Sequence, residues 1–108
     1  MAEKRFIAVT GAQHHFGDEV FRLNQTITFI KEPDNACDPE AIRAELDPIG
    51  KVGYVANSVH TVPIGCRSAG RIYDTFDDRI KGTIQFVVKG VAIVELGVVA
   101  EAKSNESV

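Results

Sequence analysis

The stretch TITFIKEPDNACDPEAIRAEL, residues 26–46, reads as strand, turn, strand. In TITFIK, Ile27 and Phe29 alternate with Thr26 and Thr28; in AIRAEL, Ile42, Ala44 and Leu46 alternate with Arg43 and Glu45. Successive side chains of an extended chain point to opposite faces, so this period of two marks half-buried strands. Between them, Pro33-Asp34-Asn35 and Asp38-Pro39 are turn formers: proline presets φ, and the short Asn and Asp side chains bond nearby backbone. The crowded carboxylates also invite a calcium-loop reading. Such a loop needs a central glycine and a late bidentate glutamate, and neither stands at that register.

Working outward, RFIAVTG (5–11) and KVGYVAN (51–57) are further apolar runs rich in β-formers. Gly53 inside the second marks a bulge or a close backbone approach. GTIQFVVKGVAIVELGVV (82–99) reads as two strands joined at Lys89-Gly90, with Ile84, Phe86 and Val88 on one face. Six short strands at this spacing favour a small all-β barrel or sandwich. In the crossover from Asn57 to Asp78, Asn57 or Ser58 is expected to cap a short helix that Pro63 and Gly65 end or displace. One domain over residues 1–101 is expected, with a disordered tail over 102–108 that has no apolar pattern.

Composition narrows the function. A hydrophobic content of 44% and a charged content of 25% are those of a globular domain. No apolar run approaches the ~20 residues that span a bilayer, so no membrane association is expected. The opening MAEKRFIAV shows no secretion signal, so Cys37 and Cys66 are expected to be reduced and the location cytoplasmic. A net charge of −3 argues against a broad phosphate-gripping surface, since such affinity comes from Lys and Arg. The acids concentrate between Lys31 and Asp47, and the stretch from Cys66 to Lys89 holds five cations, Arg67, Arg71, Arg79, Lys81 and Lys89.

Sets of residues that carry chemistry are thin. GAQHHFG (11–17) holds two adjacent histidines, but neighbours on an extended segment point apart, so His14 and His15 do not share one metal. No spacing recruits Cys37, Cys66, His60 or Asp38 to complete a zinc site, and neither metal nor cofactor is expected. No nucleophile elbow, phosphate loop or zinc-protease motif occurs. Cys66 between Gly65 and Arg67 reads as a small semi-buried thiol and His60 as a partly buried ring. From residues alone the protein is expected to be a small cytosolic β domain and not an enzyme.

Three separated motifs add a resemblance. VTGAQHHFG, then Glu32-Pro33-Asp34-Asn35-Ala36-Cys37-Asp38-Pro39-Glu40-Ala41-Ile42, then Gly50-Lys51-Val52-Gly53-Tyr54-Val55, resemble in order the HIRAN domain family over about residues 6–99. The resemblance implies an OB-like, six-stranded β-barrel with one or two short helices. It further implies a nucleic-acid-binding module that grips the 3′ end of single-stranded DNA, as in DNA translocases of that family. Asp38 matches the aspartate that contacts the terminal hydroxyl, and Asn35 the motif asparagine. His14, beside His15, stands for a stacking tyrosine, and Gln13 for a basic residue. Cys37 replaces a second stacking aromatic, Tyr54 a phosphate-facing histidine, and Asn57 a lysine. Stacking contributes about 1–3 kcal/mol per base, so the replacements weaken a strand grip. The alternative is a barrel that binds a protein or small ligand and no longer binds DNA.

Overall fold

The computed structural model describes residues 4–11, 20–58 and 60–97. Its strands are β1 (Phe6–Thr10), β2 (Thr26–Lys31), β3 (Ile42–Leu46), β4 (Gly50–Val55), β5 (Arg79–Val88) and β6 (Val91–Leu96). They close into an antiparallel barrel in the order β1-β4-β3-β2-β5-β6. The expected small all-β, six-stranded barrel is the fold. Among the described residues it carries a short α-helix, α1 (Ala69–Ile72), and a 3-10 turn over Tyr73–Thr75. Gln13, His14, His15 and the tail 102–108 lie outside the described residues.

The alternation in residues 26–46 works as read. Phe29 pairs with Ala44 and Thr28 with Glu45 across β2 and β3. Ile27, Phe29, Ile42, Ala44 and Leu46 turn inward onto Ile7, Val9, Val52, Ile84 and Val94. Gly53 serves both roles expected of it. A Cβ there would collide with the Thr10 carbonyl oxygen of β1, and the β3–β4 register shifts between Ala44 and Glu45, beside it. Lys89 (φ 51°) and Gly90 (φ 81°) form a two-residue turn with both φ positive, the geometry whose twist suits adjoining strands.

Three expectations need correction, the simplest being His60, which is exposed and not a partly buried ring. Ile84 is buried as read, but Phe86 is 58% exposed and Val88 is exposed. The β5–β6 register shifts between Ile84 and Phe86, and one extra residue turns the rest of the strand over, so Val87 packs on the core instead. The strand also starts at Arg79, because Arg79, Ile80 and Lys81 continue the ladder with β2.

Of the two outcomes expected at Pro63 and Gly65 the helix is displaced, and its cap is Ser68 in place of Asn57 or Ser58. Past β4 the chain turns at Ser58, whose carbonyl accepts from the Thr61 and Val62 amides. The helix begins after Pro63 and Gly65, where Ser68 Oγ accepts from the Arg71 amide at 3.2 Å. Proline removes an amide and glycine raises chain entropy, so the helix forms where Ala69 and Ile72 can be buried. The following turn is tied to β2 by Lys31. Its Nζ donates to the Phe76 carbonyl at 2.7 Å and lies 4.4 Å from the Tyr73 ring centroid.

Candidate nucleic-acid interface

The connection between β2 and β3 is built by its own side chains. The Glu32 amide donates to the Ala41 carbonyl at 2.9 Å and closes the loop at its base. Asn35 Oδ1 accepts from the Cys37 and Asp38 amides at 2.8 and 3.0 Å, while its Nδ2 donates to Glu32 Oε1 at 2.9 Å. An asparagine is needed because one end must accept and the other donate. Asp38 Oδ1 accepts from the Glu40 amide at 2.9 Å, and its carbonyl accepts from the Ala41 amide at 3.0 Å. The turn's own local contacts therefore hold the Asp38 backbone.

The long-range contact comes from Asn57, just past β4. Its Nδ2 donates to Asp38 Oδ2 at 2.9 Å, and its Oδ1 accepts from the Gly70 amide in α1 at 2.8 Å. Asn57 does accept from an early helix amide as expected, but across 13 residues instead of locally. Each Asp38 oxygen has one protein donor, and a carboxylate oxygen has room for about two. The group can accept a further hydroxyl or ammonium and repels a phosphate.

Glu32 is the hub on the other side of the loop. Its Oε1 accepts from Tyr54 Oη at 2.9 Å as well as from Asn35, and its Oε2 pairs with Arg43 Nη1 at 3.5 Å. Arg43 also bonds Glu45 through Nε at 2.6 Å, which raises its own pKa, and Lys51 Nζ donates to Tyr54 Oη at 3.2 Å. Burial pushes the Glu32 carboxyl upward, but the donors Asn35, Tyr54 and Arg43, with the charge of Lys51, hold it below its ordinary value.

Asn35, Cys37, Asp38 and Tyr54 meet on one cleft of about 370 Å³, whose apolar wall is Ala41 and Val55. Of the described candidates, only Asn57 is not on this cleft; it touches Asp38 and lines a neighbouring one. Cys37 is exposed on the cleft, so the position has room for a side chain larger than a thiol. Sequence reasoning missed Glu32, whose partners Arg43 and Tyr54 face each other only through the β3–β4 register. It also missed Ala41 and Val55, whose role as wall depends on barrel closure. Cys37 and Cys66 are both free, and burial pushes the Cys66 thiol up, away from the thiolate a nucleophile needs. Among the described residues, no group of three or more His, Cys, Asp or Glu side chains is placed to hold a metal, and no helix is long and apolar enough to cross a membrane.

No family model and no curated protein matches the chain. Among solved structures it is similar to a structural-genomics protein from Lactobacillus plantarum, at 16% identity and a TM-score of 0.60. The match covers 85% of this chain and 88% of that one. At that identity the likeness concerns the fold.

Proposed function

We propose that the protein is a HIRAN-type module that binds nucleic acid and recognises the 3′ end of single-stranded DNA. The observation that carries the reading is the Asp38 carboxylate, fixed by the Glu40 amide and Asn57 on a cleft with an apolar wall. A preset acceptor takes a terminal hydroxyl at little entropic cost, and the wall of Ala41, Val55 and Tyr54 receives the flat faces of sugar and base. Asp38 is the end-reading residue, and Tyr54 flanks the last nucleotide.

Fluorescence anisotropy at low salt, with single strands ending in 3′-OH or 3′-phosphate, tests this. The 3′-OH strand should bind about tenfold more tightly, the value of one charge-assisted hydrogen bond, and Asp38→Ala should erase the preference. Equal binding of the two ends by the wild-type protein would sink the mechanism.

A second reading, a barrel that binds a protein or small ligand, is favoured by one observation: among the described residues, no Lys or Arg lines the Asp38 cleft. On that reading oligonucleotide leaves the amide chemical shifts of Asn35, Asp38 and Tyr54 unmoved. Shifts at those residues on titration with a 3′-OH strand would reject it.

A further inference from the structure

We propose that a strand whose 3′ end sits in the Asp38 cleft leaves it across Asn57 and lays its next phosphate on Arg71, with Arg67 alongside. The inference rests on the 3′-end reading above. A second cleft of about 350 Å³ is lined by Asn57, Pro63, Ile64, Arg67, Ser68 and Arg71 among others. Asn57 links the two clefts, since it lines the second, bonds Asp38 through Nδ2 and accepts from the Gly70 amide through Oδ1. A chain leaving the Asp38 cleft past Asn57 arrives beside the helix that carries Arg71.

Charge sets the direction. The adjoining cleft on the Asn35 side is lined by Glu32 and Asp34, which repel a phosphate, and its cations are engaged, Arg43 by Glu32 and Glu45 and Lys31 by the Phe76 carbonyl. Glu40 stands at the divide with Asn57: a Cβ added at Gly70 would lie 2.7 Å from Glu40 Oε1 and 3.3 Å from Asn57 Oδ1, so the phosphate is placed beyond this point, at Arg71. Among the described residues lining the two clefts, Arg67 and Arg71 are the only cations. Lys51, near Tyr54, is turned onto the Tyr54 hydroxyl and ring. The Arg71 side chain is exposed, forms no ion pair among the described residues, and stands on backbone held by Ser68. Its planar guanidinium offers donors that match phosphate oxygens. Ile64, fully exposed at this cleft, adds apolar surface for a sugar or base that no packing in the barrel uses. Gln13 and Asn57 are uncharged where the HIRAN resemblance has cations, so the crossover supplies the positive charge from a different element.

The test is anisotropy of a 3′-OH single strand against wild type, Arg71→Ala, Arg71→Lys and Arg79→Ala, over a range of salt. Arg71→Ala should weaken binding roughly fivefold or more and make the slope of log K against log salt shallower by about 0.7, the value for one phosphate on a single strand. Its preference for 3′-OH over 3′-phosphate should persist, and Arg71→Lys should recover most of the slope. Arg79→Ala removes the same charge from β5 and should leave both quantities unchanged. If Arg71→Ala binds with wild-type affinity and slope, or Arg79→Ala loses as much, the Arg71 assignment is overturned while the 3′-end reading stands. If the wild-type protein does not distinguish the ends, both fall.

Discussion

At the scale of single residues, the candidate site depends on side chains that do two things at once. Asn35 accepts from two backbone amides and donates to Glu32; Asn57 donates to Asp38 and accepts from α1. Cys37 does neither with its side chain and stands exposed on the cleft. That makes it the position for a gain of function. Cys37→Tyr should add a stacking platform and tighten single-strand binding about tenfold, as read by anisotropy. Unchanged affinity would mean that bases do not pass this face. The turn that holds Asp38 was legible in the sequence because it is local and made of turn formers, while the binding role proposed for Asp38 came from the HIRAN resemblance alone. Glu32 was not legible, because its donors Tyr54 and Arg43 come from β4 and β3 and meet only through strand register.

At the scale of elements, alternation located the strands, and the exceptions lie where one residue breaks the period. The register shift after Ile84 turns Phe86 and Val88 outward, which no count of apolar positions reveals. Gly53 shows the opposite case, where a single residue type announces tight packing. Replacing it with alanine drives a Cβ into the Thr10 carbonyl and close to Val9, and a backbone atom cannot swing aside. Gly53→Ala should destabilise the barrel by about 1–3 kcal/mol in urea denaturation, mainly at the β1–β4 seam. A change under about half a kilocalorie would show that β1 yields more easily than its pairing implies. The helix was legible in kind but not in place: Ser68 caps it, and burial of Ala69 and Ile72 chooses its position over the earlier candidates.

At the scale of the whole molecule, closure pairs both edges of each of the six strands, and the carboxylates of the β2–β3 loop line two clefts, Asp38 one and Glu32 with Asp34 the other. This has a consequence for acid stability. Glu32 is held below its ordinary value of 4.5 in the folded chain, so the folded state binds fewer protons there than the unfolded one. Its contribution is therefore fully present above about pH 4.5 and is lost as pH falls through the folded value. Thermal midpoints followed by circular dichroism between about pH 3 and 7 should fall less steeply on the acid side for Glu32→Gln than for wild type. Parallel acid limbs would show that the hub adds no pH-dependent stability.

The period-two pattern of TITFIK and AIRAEL, the turn chemistry around Asn35 and Asp38, and Lys89-Gly90 are local matters, so the chain order of residues was enough to establish an all-β domain with Asp38 in a shaped loop. Local rules act over a few residues, where covalent geometry limits the choices. Barrel closure, the bulge in β5, the place of α1, the Glu32 hub and the Asn57 bridge between Asp38 and Gly70 join residues far apart in the chain. Such pairings are selected by burial and by satisfying polar groups across strands, and those forces act between segments that only the tertiary structure brings together.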